Sequence, residues 1–219
     1  MPLDALVGSA SRHATIPLDL LIGLTAISLV PLILVMCTSF VRIVVVLSLV
    51  RSAIGASALP PNAVLTGLAL VLTLVVMAPT AQRIEHDAIG PYSRGAISQS
   101  QALTRAIGPL RAFMLRQTRA ADVALFERVA RRGLEPERRA PITVLIPAFV
   151  VGELRNAFAM GFALYLPFVA IDLAVAAMLM GLGMMMLSPP VVSLPVKLLL
   201  FVMVDGWALL CGGVAASFR

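Results

Sequence analysis

The chain has 219 residues, of which 60% are hydrophobic and only 13% charged, with a mean hydropathy of +0.99. It is far more apolar than an ordinary soluble domain, which places it in or against a bilayer. The net charge of +6 does not indicate nucleic acid, because the basic residues are arginines of one segment, mixed with acids and with little aromatic interleaving.

Catalytic chemistry has few candidates among one Trp, two Tyr and two His. His86, next to Asp87 in a polar stretch, reads as a solvated surface histidine. Cys37 and Cys211 lie far apart in apolar runs without metal-ligand spacing and read as small buried apolar residues. No GK[ST] phosphate loop occurs. The expectation is a protein that is not an enzyme and that uses no cofactor or metal.

Arg12 and Asp19 precede the first long apolar run, so a signal peptide with a short basic head is not evident. Either there is none or this start omits it. From Leu20 to Val41 there is no charged residue, enough at 1.5 Å per residue to cross a hydrocarbon core of about 30 Å. Pro31 inside this run predicts a kinked or hairpin-like path. Arg42 and Arg51 bracket a short apolar stretch. The positive-inside rule sets that connector on the cytoplasmic side, with the amino terminus and the arginine-rich segment outside. Residues 52 to 82 again carry no charge, and the second helix is predicted to start near Pro61, where proline is tolerated in a first turn. The small residues Gly67 and Ala69 would allow close helix contact.

Residues 83 to 139 hold eleven arginines and six acids, five of the six net positive charges. In PLRAFMLRQTRAADVALFERVARR, the apolar residues Leu110, Phe113, Met114, Val123, Phe126 and Val129 recur at helical spacing, so one face is predicted to pack against protein. Gly133 to Pro136 should end the helix.

The second apolar half starts at Pro141. Pro147 and Pro167 interrupt it, and Glu153, Arg155, Asp172, Lys197 and Asp205 lie inside its apolar runs. Ionisable groups there cost several kcal/mol if they face lipid, so they should pair or line a cavity. Either salt bridges between helices or subunits, or an ion relay, would explain them. The expected organisation is all-α: an amino-terminal apolar half (1–82), a polar arginine-rich segment (83–140) and a carboxy-terminal apolar half (141–219). Hydrophobic arms or spans are predicted at roughly 17 to 41, 59 to 81, 142 to 187 and 194 to 218. LPPN in the first half and LSPPVVSLP in the second form a weak echo of the kind inverted repeats leave.

Met180 to Pro190 reads MGLGMMMLSPP, and five of the eleven methionines fall between Met178 and Met186. Methionine is unbranched and polarizable and adapts to irregular surfaces, as a deformable seal requires. The other reading is apolar filler in a helix. Gly181, Gly183, Pro189 and Pro190, the expected hinges of a loop, continue a helix poorly.

An ordered set of stretches is specific enough to indicate a family. TSFVRIVVVLSLVRSAIG, LPPN, FMLRQTRAAD, LIPAFVVGEL, LPFVAIDL, MGLGMMMLSPP and LPVKLLLFVMVDGW cover nearly all of the chain from about residue 20 onward. The sequence resembles the FliP/SctR family of type III secretion export gate subunits, with FMLRQTRAAD and VDGW closer to the flagellar branch than to the injectisome branch. The resemblance implies a subunit of a pentameric ring, built from kinked helical hairpins and assembled with FliQ/SctS-like and FliR/SctT-like partners. FlhB/SctU-like and FlhA/SctV-like export components would work beside it. It implies a place at the bacterial inner membrane, in a flagellar basal body or secretion system, largely at the periplasmic face, with unfolded protein substrates passing through. It also implies a pore gasket at Met184, Met185 and Met186 and makes Asp172 a candidate polar contact within or between subunits; Arg42, Glu153, Arg155, Lys197 and Asp205 are the other charges expected to be structural or inter-subunit. The competing function is an ion- or proton-coupled transporter that uses the intramembrane charges Glu153, Asp172, Lys197 and Asp205 as a relay.

Overall fold

The structure, a computed structural model, describes residues 28, 31–33, 35–56, 59–130, 140–184 and 186–218. The chain divides into two units, Met1–Val35 and Met36–Arg219. In the first, the described residues 28, 31–33 and 35 have helical backbone; the rest of the predicted arm from residue 17 lies outside the described residues.

The described regular elements of the second unit are all helices. Helix α1 (Phe40–Ile54) is rich in β-branched residues, which are mediocre helix formers, so its stability comes from burial rather than propensity. Ile43, Val46, Leu47, Val50 and Ile54 recur at helical spacing and are almost wholly enclosed. The helix stops at Gly55, whose φ of 86° lies in the left-handed region that glycine occupies without strain. Helix α2 (Asn62–Ile84) follows, with Pro61 at its N-cap as the sequence predicts. It buries only the stripe Leu65, Ala69, Thr73 and Thr80, and exposes Val64, Leu70, Val71, Leu74 and Val75.

A π-helical turn, Glu85–Ile89, joins α2 to the short α3 (Gly90–Ser93). Its widened turn precedes Pro91, which has no N–H and crowds the carbonyl four residues back. Helix α4 (Gln99–Gln117) begins with a capping box in which Ser98 and Gln101 satisfy each other's backbone N–H groups. Helix α5 is Ala120–Val129. The single helix predicted across Leu110 to Val129 is therefore two. Thr118 donates its hydroxyl to the Met114 carbonyl, and Thr118 and Arg119 turn to extended backbone, which starts a new helix. Phe113, Met114 and Val123 are buried as expected, whereas Val129, the last residue of α5, is exposed. Gly133 to Pro136, the predicted stop, lie outside the described residues.

Helix α6 (Ile142–Gly181) is 40 residues long, about 60 Å at 1.5 Å per residue. It runs through Pro147 and Pro167, so the interruptions expected there do not occur. A proline removes one backbone hydrogen bond, and apolar surroundings offer no water that would reward opening the helix. Its first half is the buried one, with Val144, Leu145, Ala148, Phe149, Gly152, Glu153, Ala157 and Gly161 enclosed. Farther on, Phe162, Leu166, Leu173 and Met178 are exposed.

Helix α7 (Pro189–Met203) and helix α8 (Gly206–Ala216) meet at a bend of 65°. The bend sits at Asp205, in left-handed backbone with φ 50°. A Cβ on the next residue, Gly206, would lie 2.3 Å from the Phe201 ring, so only glycine fits there. Among the described residues, the helical stretches Asn62–Ser93 and Ile142–Gly181 are long and apolar enough to cross a membrane, and so is the bent pair α7 and α8 if it acts as one broken span.

The main core joins α1 to α2, α6, α7 and α8 through Ile43, Leu47, Leu65, Ala157, Phe168, Phe201 and Leu210. The α1–α6 crossing is close because Gly161 takes Leu49 against its backbone: a Cβ there would meet Leu49 Cδ1 at 2.3 Å and Cβ at 3.0 Å. A second cluster sets Cys37, Phe113 and Met114 against Leu145 and Phe149, and a third joins α5 to α6 through Val123, Val144 and Ala148.

Candidate functional site

The methionine stretch is the connection between α6 and α7. Gly183, with φ 73°, sits just past the end of α6. Its N–H bonds the Met180 carbonyl at 3.0 Å, while Met184 N–H reaches the Leu179 carbonyl at 2.9 Å. This pair of bonds is a Schellman closure, and it depends on a residue that takes the left-handed conformation. Gly181 is thus the last helical residue and Gly183 the capping one. Ser188 is the N-cap of α7, and Pro189 and Pro190 occupy its first turn, where missing N–H groups cost nothing. The two prolines restart a helix, and the linker itself is Leu182 to Ser188.

Within it, Met186 is fully exposed at 101% and Met184 is exposed at 45%. Met185 lies outside the described residues. Leu182 and Leu187 are exposed too, so the tip presents several exposed apolar side chains together.

Nine residues before Gly181, a polar cluster ties the two helices of this hairpin together. Lys197 Nζ donates to Asp172 Oδ2 at 2.6 Å and to the Ala53 carbonyl at 3.2 Å. Ser193 Oγ donates to Asp172 Oδ1 at 2.5 Å. Ser193 and Lys197 are four apart on α7 and share a face, so one carboxylate receives both. Lys197 is buried, and its bond to Ala53 reaches the last turn of α1.

Glu153 and Arg155 are two residues apart and point to different sides of α6, so they take different partners. Glu153, fully buried, pairs with Arg42 of α1: Nε to Oε2 at 2.9 Å and Nη2 to Oε1 at 2.5 Å. Arg42 Nη2 also donates to Gln117 Oε1, and Nη1 to the carbonyl and hydroxyl oxygens of Ser217. Its five N–H donors thus match five acceptors. The Phe218 ring lies 3.9 Å from the guanidinium carbon. This hub joins α1, α4, α6 and the carboxy-terminal turn.

Arg155 forms a two-pronged bond with Asp122 of α5, at 2.7 and 2.6 Å. These hydrogen bonds, with the positive charges of Arg155 and Arg119, hold the Asp122 carboxyl below the ordinary carboxylate range against the opposing effect of burial. Asp205 stands apart. It is exposed, makes no side-chain hydrogen bond or ion pair among the described residues, and marks the α7–α8 bend.

Sequence reasoning had placed the methionines and the charges but not Asp122, Gln117, Ser193 or Ser217. Only Ser193 carried a local signal, its four-residue spacing from Lys197. Arg42 and Glu153 are 111 residues apart, and nothing local pairs them.

Comparison with known proteins bears on the whole chain. The model of the FliP family matches residues 23–214. The flagellar biosynthetic protein FliP of Pectobacterium carotovorum subsp. carotovorum is 49% identical over 93% of this chain and 80% of its own length. That of Bacillus subtilis (strain 168) is 46% identical over 96% of both. That of Buchnera aphidicola subsp. Acyrthosiphon pisum (strain APS) is 42% identical over 98% of this chain, which spans 57% of that longer relative. With a family match across almost its whole length and relatives at this identity, the chain belongs to the FliP family.

Proposed function

We propose that this protein is a pore-lining subunit of the type III export gate in flagellar assembly, through which unfolded substrates cross the bacterial inner membrane. Family membership and relatives named flagellar biosynthetic protein FliP support a component of the flagellar export apparatus. The finer reading rests on one observation: a hairpin tied by Asp172, Ser193 and Lys197 ends in a tip whose Met184, Met186, Leu182 and Leu187 belong to no hydrophobic core cluster among the described residues. Apolar side chains displayed this way gain by closing on something else, and methionine conforms to a passing polypeptide of any sequence. A ring of such tips, pentameric as the family resemblance implies, would seal around substrate and limit ion leak.

In this reading the 83–140 segment separates two apolar halves (1–82 and 141–219). FliQ-like and FliR-like subunits complete the cone, FlhA-like and FlhB-like components deliver substrate, and the assembly lies largely at the periplasmic face. The protein does no catalysis, and energy comes from elsewhere in the machine. Pairing of Arg42 with Glu153, Asp122 with Arg155 and Asp172 with Lys197 supports structural roles for those charges over a proton relay.

The test changes Met184, Met185 and Met186 together to Ala and follows ion leakage in cells making the assembled complex. Increased leakage with normal assembly is expected. Unchanged leakage in an assembled complex would remove the sealing role.

A further inference from the structure

At the joint between α1 and α2, a cavity of about 470 Å³ opens between those two helices and the α7–α8 bend. Its floor is the buried Ile54, Leu65 and Phe201, while Leu59, Val64, Val202 and Trp207 stand exposed around its mouth. Each helix brings one face to it: Arg51 and Ile54 are a turn apart on α1, Val64 and Leu68 on α2, and Leu198 and Phe201 on α7.

Among the described residues that line this cavity, Arg51 is the one that carries a charge, and it is half-buried in the last turn of α1. Its guanidinium is held from one side. Nη1 donates to the Pro60 carbonyl at 3.2 Å and to Asn62 Oδ1 at 2.6 Å. The edge formed by Nε and Nη2 has no partner among the described residues, and no acid there pairs with Arg51. Through this same edge Arg42 holds Glu153.

A half-buried cation, fixed in place with that edge unused, matches a carboxylate, which the edge grips in two parallel bonds. The lining chooses what carries the carboxylate. A free anion would neutralise Arg51 and leave the apolar walls and mouth in water. A hydrocarbon chain would fill the cavity and leave the cation uncompensated. The exposed mouth is shared by the α1–α2 connection, α2, α7 and α8, so covering it takes an extended apolar surface such as a helix face. Arginine and tryptophan beside aliphatic side chains are also the residue types that anchor protein interfaces. As a component of the flagellar export apparatus, the chain works with other export subunits.

We infer that this cavity is a docking socket for an apolar helix of another export subunit, whose Asp or Glu side chain inserts and pairs with the Nε–Nη2 edge of Arg51. The inference rests on the place of this chain in the export apparatus and is independent of the methionine seal, so leakage at Met184 to Met186 and docking at Arg51 fail or succeed separately.

The test places a photo-crosslinking amino acid at Leu59, on the mouth of the cavity, in cells making the assembled apparatus, and maps the adduct by mass spectrometry of cross-linked peptides. Another subunit should be captured at an apolar segment with an Asp or Glu within about two helical turns of the cross-linked residue. R51Q should lower the adduct yield about tenfold or more, because it leaves the partner's carboxylate without its countercharge, and R51K, which keeps the charge but not the fork, should fall between. N62A removes a partner of Arg51 within the chain but keeps the charge, and should retain the adduct. Changing the mapped acid to Lys should restore the adduct lost in R51E. Equal losses in R51Q and N62A would reduce Arg51 to a brace of the α1–α2 joint and overturn the docking assignment. An adduct confined to lipid, to a second copy of this chain or to a segment with no acid in reach would overturn it as well. Where R51Q does not assemble, the wild-type map and N62A decide between these outcomes.

Discussion

Removing the Glu153 carboxylate while leaving Arg42 in place tests the hub that joins α1, α4 and α6. In Glu153→Ala, Arg42 loses two of its five acceptors and, among the described residues, its only countercharge, at a site where the two side chains are 3% and 0% exposed. Breaking a buried pair from one side costs about 3–5 kcal/mol, because the remaining charge is left without compensation. Replacing both partners, as Arg42→Met with Glu153→Ala, leaves no orphan charge. The loss is then confined to Gln117 and Ser217, at about 1 kcal/mol for each hydrogen bond given up. The double variant should therefore be more stable than Glu153→Ala alone, with a coupling energy of about 2 kcal/mol or more. Thermal unfolding of the detergent-solubilised protein, followed by helical circular dichroism, measures all four members of the cycle. A Glu153→Ala loss below about 1 kcal/mol, or strictly additive effects, would refute the reasoning.

Further expectations follow from the other contacts. Asp122 is held below its usual range chiefly by the Arg155 hydrogen bonds, so it stabilises the fold at every pH above its unfolded pKa, about 4, and that contribution disappears as pH falls through the lower native value. Asp122→Asn should flatten the acid limb of a stability-versus-pH curve below about pH 4, and an unchanged limb would show that the pair contributes nothing there. Gly161→Ala places a methyl 2.3 Å from Leu49 Cδ1 and 3.0 Å from its Cβ, and should cost about 1–3 kcal/mol by overpacking the α1–α6 crossing. Adding Leu49→Ala should recover part of the loss in thermal unfolding, and no recovery would place the strain elsewhere. Asp172→Asn keeps an acceptor for Ser193 and Lys197 but removes the charge, so secretion should persist in an assembled complex if the cluster ties the hairpin. Loss of secretion with intact assembly would favour a relay instead.

The sequence announced some features because they are local. Pro61 signalled the start of α2, and the glycines and prolines around the methionines marked where α6 stops and α7 begins. Charges inside apolar runs implied partners, since burial alone would be too costly. The identity of those partners was not legible, because Glu153 meets Arg42, and Asp172 meets Lys197, only once distant helices pack. Proline misled in the other direction. Pro147 and Pro167 suggested breaks, yet tertiary contacts and an apolar setting keep α6 continuous, while the real break at Thr118 came from a hydroxyl bonding back to its own helix. Asp205 had been grouped with the paired charges. It stands at a backbone bend, where a small polar residue tolerates positive φ and the following glycine admits Phe201.

The central claim is that the methionine tip contacts substrate in transit. A photo-crosslinking amino acid in place of Met186, the fully exposed residue of the linker, tests it in cells exporting a substrate fused to a folded domain that stalls within the gate. The account predicts a light-dependent adduct between this chain and the stalled substrate, absent when the crosslinker replaces buried Leu47. Adducts from position 186 only to lipid or to other gate subunits, with substrate demonstrably stalled, would contradict it.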